Sequence, residues 1–435
     1  MTRLYILALG SLITSVGSGL SAFGLAVFAY SAYGTASAVA LVQLCAFAPI
    51  VLLAPLAGTL ADRFDRRLMM VLGDAGSVLG LAVVWAALAS REPKLVTILF
   101  GVVLSSCLAA LTEPALRASV TDLVDPQDHV RASGLLQAAG SARYLLAPAL
   151  AGALLPVVGL RTLIVLDAAT CIVTVACSLT VMRAVGRRSA ATWEETGTVH
   201  QLLAGWRLIR RTPTVRRVVG LMTVMTLTIG TLQVLLKPIL LPLVGTAATG
   251  RVETLAATGI LAGAALVTLL AGRSPSRLLS AGTAATGVAM CALALREEAW
   301  WVALSGFGVF AALAVCQAGA ETLVRRGVDA DHQARMWGTV SLVTQTGYIL
   351  ACLGAGPLAD GVATALLAPG GALAPALSAV VGTGPGRGAA LVVALAGLAT
   401  IALAAVIRSR LATSDDAITP PVPSVEADPS RTRSR

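Results

Sequence analysis

The stretch Gly58-Thr59-Leu60-Ala61-Asp62-Arg63-Phe64-Asp65-Arg66-Arg67 sets two acids and three arginines almost side by side between two long apolar runs. Charge that dense does not sit in hydrocarbon, so the runs on either side must leave the bilayer here and turn back. Working outward, apolar runs of about 20 residues, the helix length that spans ~30 Å of hydrocarbon, recur along most of the chain. With 57% hydrophobic and only 12% charged residues over 435 positions, and a mean hydropathy of +0.84, the composition describes a membrane protein and excludes a soluble enzyme.

The runs predict spans over 4–30, 36–60, 67–90, 95–116, 131–157, 161–183, 215–243, 253–272, 276–296, 300–324, 335–358 and 388–407. The first is too long for a cleaved signal peptide and is read as retained. The formal charge of +10 would suggest nucleic acid until the arginines are located. Most of the 32 Lys and Arg fall in one set of alternating loops and tails or at the adjoining span ends, and only Arg143 and Lys237 stand well inside spans. That asymmetry is the positive-inside bias and predicts both termini in the cytoplasm. The expected organisation is a six-helix bundle over 1–183, a cytoplasmic linker over 184–214, a second bundle over 215–408 and a disordered tail over 409–435. Within the linker, Leu202, Leu203, Trp206 and Ile209 share one helical face, as in a helix lying in the membrane interface.

The two halves repeat in sequence. Residues 124–134 match residues 328–338 at a constant offset of 204, and at that offset Tyr144 falls on Tyr348 and Gly152 on Gly356. A repeat of this kind predicts two pseudo-symmetric six-helix lobes with the binding site between them, near the middle of the membrane.

The opening stretch resembles the signature of the major facilitator superfamily, Gly-x-x-x-Asp-Arg-x-Gly-Arg-Arg, in the loop between helices 2 and 3. The resemblance implies an all-α membrane protein of twelve transmembrane helices in two bundles. It also implies a conformational latch of Gly58, Asp62, Arg63, Arg66 and Arg67: Gly58 for close helix approach, Asp62 against the positive end of a helix of the other half, and Arg66 and Arg67 pairing with nearby acids. A carboxylate near a helix N-terminus is worth about 0.3–1 kcal/mol, enough to bias a two-state equilibrium. Asp65 stands where the family has glycine, and is read as a residue that tolerates a left-handed turn. Span 5 carries Pro148 and Gly152 in a stretch that resembles the family's helix-5 antiporter motif, with Ala147 and Ala151 in place of glycines. Gly356-Pro357-Leu358-Ala359-Asp360 and the long loop ending at Gly388 resemble the macrolide-efflux and siderophore-exporter branch. The function so implied is proton-coupled efflux of an amphipathic small molecule by alternating access; the alternatives are proton-coupled import of a small metabolite and, behind it, a non-transporting membrane sensor or enzyme.

Polar residues inside spans are the candidates for the transport pathway. Arg143 lies twelve residues beyond Arg131, about 18 Å deep at 1.5 Å per residue, too deep to reach either face easily. Such an arginine needs water or a counter-charge, so it marks a cavity. Glu113 is a candidate acid partner for Arg143, although its spacing to Arg117 also suits a helix-surface pair. Asp74 and Asp167 are further buried acids, and Gln137, Tyr144, Gln233 and Gln345 are further cavity candidates. Lys237 is read as reaching out to the membrane surface.

Seven cysteines, all within spans, and three scattered histidines make no metal-ligand pattern. No phosphate-binding Gly-x-x-x-x-Gly-Lys loop and no His-Glu-x-x-His pair occurs, so the chain reads as no enzyme, with no cofactor and the proton gradient as its energy source. The expected partners are the bilayer, protons and the substrate, with no nucleic acid, in a monomer of the bacterial inner membrane.

Overall fold

A computed structural model describes residues 2–185, 206–207, 209–270, 272–326, 330–368, 375 and 381–415; regular structure among them is entirely helical. The first lobe comprises α1 (Thr2–Tyr33), α2 (Ala36–Arg63), α3 (Arg66–Ala89), α4 (Leu95–Ala109), α5 (Thr112–Leu123), α6 (His129–Leu145) and α7 (Ala147–Val185). The second comprises α8 (Pro213–Ala257), α9 (Gly259–Leu269), α10 (Pro275–Ala294), α11 (Ala299–Arg326), α12 (Ala330–Pro357), a π-helical turn over Leu358–Ala363, the short α13 (Thr364–Leu367) and α14 (Arg387–Asp415).

Among the described residues, ten helical stretches are long and apolar enough to cross a membrane, and two of these, Arg131–Ala184 and Pro213–Leu269, run to 54 and 57 residues. At 1.5 Å per residue each would be about 80 Å long, far more than the bilayer needs. Each is a hairpin. Gly159 has φ 78° and Gly245 has φ 71°, conformations open to glycine at little cost. The fold-back is visible in the packing: Ala147 lies against Gly19 of α1 and Thr170 against Gly17, so residues 23 apart share one level. Lys237 and Glu253, each eight residues from Gly245, form an ion pair at 2.9 Å, where a straight helix would hold them about 24 Å apart. Twelve crossings result.

The observed boundaries depart from the sequence expectations at three places. Span 4 is broken at Ala110 and Leu111 into α4 and α5. Span 5 is broken at Leu146, ahead of Pro148, whose missing N–H interrupts the helical ladder. Span 8 starts directly after Gly245, not at 253: a single glycine makes the reversal, and the polar stretch over 246–251 that reads as a loop is helical. Of the expected linker over 184–214, residues 186–205 and 208 lie outside the described residues; of the tail over 409–435, which was expected to be disordered, residues 409–415 instead continue α14 as helix, and 416–435 lie outside the described residues. Of the expected interfacial helix, Trp206 and Ile209 are helical, Trp206 exposed and Ile209 buried against the second lobe.

The signature loop, between α2 and α3, defines one face of the molecule; the turns at Gly34, Gly159 and Gly245 define the far face. Contacts between the lobes gather toward the far face. Gly152 packs against Gly250, where an added Cβ would overlap the carbonyl oxygen of Pro148, and Gly356 packs against Ser37 and Ala40. These are the two glycines related by the 204-residue repeat, and each meets the opposite lobe. Around them, Ala36 and Ala40 of α2 bury against Leu232, Leu235 and Ala355, while Leu20, Phe23 and Ala151 bury against Leu241. On the signature side, no packing neighbour among the described residues comes within 4 Å of where a Cβ would stand on Gly58, Gly134 or Gly338. The lobes are joined at the far face and parted toward the signature face.

Candidate functional site

Between the lobes lies a cavity of about 270 Å³. The first lobe lines it with Ser18, Phe23, Gln43, Phe47, Arg143, Tyr144 and Asp167, and the second with Gln233, Lys237, Glu253, Phe310 and Tyr348. Its far-face roof is a hydrogen-bonded bridge between lobes. Tyr348 Oη donates to Gln43 Oε1 at 2.6 Å, Gln43 Nε2 donates to the carbonyl of Gln233 at 3.2 Å, and the rings of Phe47 and Tyr348 meet at 4.4 Å between centroids. Tyr144 and Tyr348, equivalent in the repeat, both reach this cavity from their own lobes.

Two sets of opposite charges line it. Asp167, only 4% exposed, accepts a hydrogen bond from Ser18 Oγ at 3.3 Å and feels the charge of Arg143. Arg143 is exposed to the cavity and, among the described residues, makes no hydrogen bond or ion pair. Its backbone and Cγ rest where a side chain on Gly19 would stand, so a glycine on α1 makes room for it. The second set is Lys237 and Glu253, 12% and 11% exposed, with the Lys237 ammonium also 5.1 Å from the centre of the Phe23 ring across the lobe boundary. Paired charges of this kind are tolerated inside a membrane protein only when each satisfies the other or faces water.

Several sequence candidates sit elsewhere. Glu113 is not the partner of Arg143: it bonds Arg117 at 2.7 Å on an exposed helix surface, 60% and 69% exposed, a position near the signature face that the α4–α5 break sets apart from the cavity. Asp74 is buried in the first lobe, where Thr112 donates to its Oδ1 at 2.8 Å and ties α3 to the start of α5. Gln137 and Gln345 do not line the cavity. Lys237 does not reach the membrane surface, because Glu253 holds it inside. Gln43 was, like Gln233, a polar in-span position able to bond a ligand or another helix, whereas Lys237, Glu253 and Tyr348 were not singled out as site residues by sequence; the repeat pointed to Tyr348, and the turn at Gly245 would have placed Glu253 opposite Lys237.

The signature loop is built differently from its expected turn. Asp65 is in an extended conformation (φ −60°, ψ 116°) and caps α3 by accepting from the backbone N–H of Arg67 at 2.9 Å, so an acid serves here without any left-handed backbone. Arg66 donates to the carbonyl of Ala118 at 2.6 Å and anchors the loop to α5. Arg67 is buried at 3% exposure. The side chains of Asp62 and Arg63 lie outside the described residues. In the helix-5 motif, Pro148 leaves the N–H of Ala149 to donate to Thr254 Oγ1 of the second lobe at 3.0 Å.

Twelve crossings in two lobes, joined at one face around a central cavity that carries a few charged groups, have the architecture of a two-lobed membrane transporter. A family model of the Major Facilitator Superfamily matches residues 7–352, and the chain belongs to that superfamily. It is 24% identical over 332 residues to YfiS of Bacillus subtilis (strain 168), described as an uncharacterized MFS-type transporter, covering 73% of this chain and 77% of that one. It is 26% identical over 171 residues to macrolide efflux protein A of Streptococcus pyogenes, covering 38% of this chain and 41% of that one. Among solved structures, an inward-facing, unoccupied bacterial homologue of the lysosomal transporter Spinster aligns with a TM-score of 0.69 at 16% identity, over 93% of this chain and 96% of that one. A POT family transporter in complex with a thioalcohol-conjugated peptide aligns with a TM-score of 0.72 at 12% identity, over 94% and 96%. At those identities the structural likeness carries the fold. The protein is a multi-pass membrane transporter.

Proposed function

We propose that this transporter exports an amphipathic small molecule, of the drug, antibiotic or siderophore-like kind, in exchange for protons. The observation that carries the reading is the cavity itself, in which a free arginine, Arg143, stands beside a buried acid, Asp167, below an aromatic and amide roof. Apolar and aromatic walls suit an amphipathic molecule, and a few convergent polar groups orient it. Asp167 carries the proton. When it is ionised, Arg143 compensates it; when it is protonated, the arginine is released to water or substrate, so the two occupancies are linked. The local similarity to macrolide efflux protein A supports the outward direction. In this reading the signature face is cytoplasmic in a bacterial inner membrane, the gradient is the energy source, no cofactor takes part, and one chain is the working unit.

The test is uptake into inverted membrane vesicles of a labelled macrolide, a cationic dye and a hydroxamate siderophore, with and without a proton gradient. Gradient-dependent accumulation of at least one is expected. Loss of preloaded compound together with protons would make the protein an importer.

A further inference from the structure

We propose that Asp360 is the closing latch of the far gate, a positioning residue that holds the two lobes together while the cavity faces the signature side. The Oδ1 atom of Asp360 accepts from the backbone N–H of Ala36 at 2.9 Å, and its Oδ2 accepts from the backbone N–H of Ser37 at 2.8 Å and from Ser37 Oγ at 2.6 Å. These three bonds join residues more than 320 positions apart and cross from the second lobe to the first.

The chemistry at the other end suits a reversible contact. Ala36 and Ser37 are the first two residues of α2, and their N–H groups have no acceptor within the helix. The third, Ala38, is satisfied by the side chain of its own N-cap, Thr35, at 3.3 Å. The first lobe therefore caps one N–H itself and leaves two to the other lobe. A carboxylate placed there meets both free donors and the positive end of the helix dipole. When the gate opens, water can take its place, so the contact can be broken and remade in each cycle.

The sequence around it mirrors the signature loop. Gly58-Thr59-Leu60-Ala61-Asp62 lies in the last turns of α2 at the signature face, and Gly356-Pro357-Leu358-Ala359-Asp360 runs from the end of α12 into the π-helical turn at the far face, with the same glycine-to-aspartate spacing. Gly356 is packed against Ser37, where an added Cβ would approach Cα to 2.7 Å, whereas Gly58 has no packing neighbour among the described residues within 4 Å. One glycine of the pair is engaged with the opposite lobe and the other is not, as expected of a molecule closed at one face only. The proposal depends on two-state gating and not on the direction of transport or on protons.

The experiment is a distance measurement by pulsed electron resonance on the full chain in nanodiscs, without substrate. Spin labels replace Glu92 and Glu298, exposed far-face residues of opposite lobes, in a background with the seven native cysteines substituted. Asp360→Asn should raise the ratio of far-face-open to closed molecules about tenfold, the scale of a lost charge-assisted contact. Ser37→Ala removes one of the three bonds and leaves the carboxylate in place; it should give a smaller shift in the same direction. A folded Asp360→Asn with the wild-type distance distribution would overturn the proposal, even if its melting temperature fell. Should Asp360→Asn not fold, an unshifted Ser37→Ala would overturn it equally.

Discussion

Arg143 and Asp167 carry the account at the level of single residues. Arg143→Ala should abolish proton-coupled transport while leaving folded protein, because the arginine makes no bond that the fold depends on. Arg143→Lys should recover little, since an ammonium lacks the planar, forked donor set. Transport in reconstituted vesicles checks both, and normal rates in Arg143→Ala would remove the residue from the pathway. The Lys237–Glu253 pair behaves in the opposite way. Removing one partner of a nearly buried ion pair leaves the other uncompensated, at a cost of roughly 3–5 kcal/mol. Glu253→Gln should therefore lower the melting temperature clearly in detergent, and replacing both charges together should recover most of the loss. Equal stability of the single and double variants would show that the pair is not coupled. Depth along a span was enough to mark Arg143 from sequence. The acid that shares its cavity was not legible, because Glu113 and Asp167 are equally acidic on paper and only the packing of the helices places Asp167 in the cavity that Arg143 lines.

At the level of elements, the fold rests on glycines whose roles differ. Gly159 and Gly245 turn the chain back; the first turn falls between the expected fifth and sixth spans, whereas the polar residues Thr246, Thr249 and Arg251 after Gly245 read as a loop and displaced the expected start of the eighth span. Gly152 and Gly250 instead set how closely the lobes approach. A methyl group on Gly250 would strike the Pro148 carbonyl, which backbone cannot easily yield. Gly250→Ala should thus prop the far gate apart and increase labelling, from the far side, of a cysteine placed at Gln43. Labelling no faster than in the wild-type background would mean that the lobes do not close on this contact. The two crossing points were partly legible: the 204-residue repeat paired Gly152 with Gly356, and the structure seats both at the lobe boundary. Sequence could not say which helix each would meet, since that is fixed by the three-dimensional arrangement of twelve similar apolar rods.

On the scale of the whole molecule, class and topology were the most legible features, because a bilayer allows so few solutions: apolar helices of one length, reversed at loops that carry the charge. What a sequence without partners does not disclose is the state in which such a machine rests. Here the lobes are joined by Asp360, Gln43, Tyr348 and Thr254 on one side of the cavity and parted on the other. A cavity with access from one side at a time is the physical requirement for coupled exchange, and coupling through Arg143 and Asp167 is the central claim. It is tested most directly by loading inverted vesicles with a pH-sensitive dye, acidifying their lumen and adding a macrolide from the signature side. The account predicts that the lumen becomes less acidic as the macrolide enters, and that Arg143→Ala and Asp167→Asn abolish this response. Macrolide accumulation with no movement of protons in the wild-type protein would contradict it.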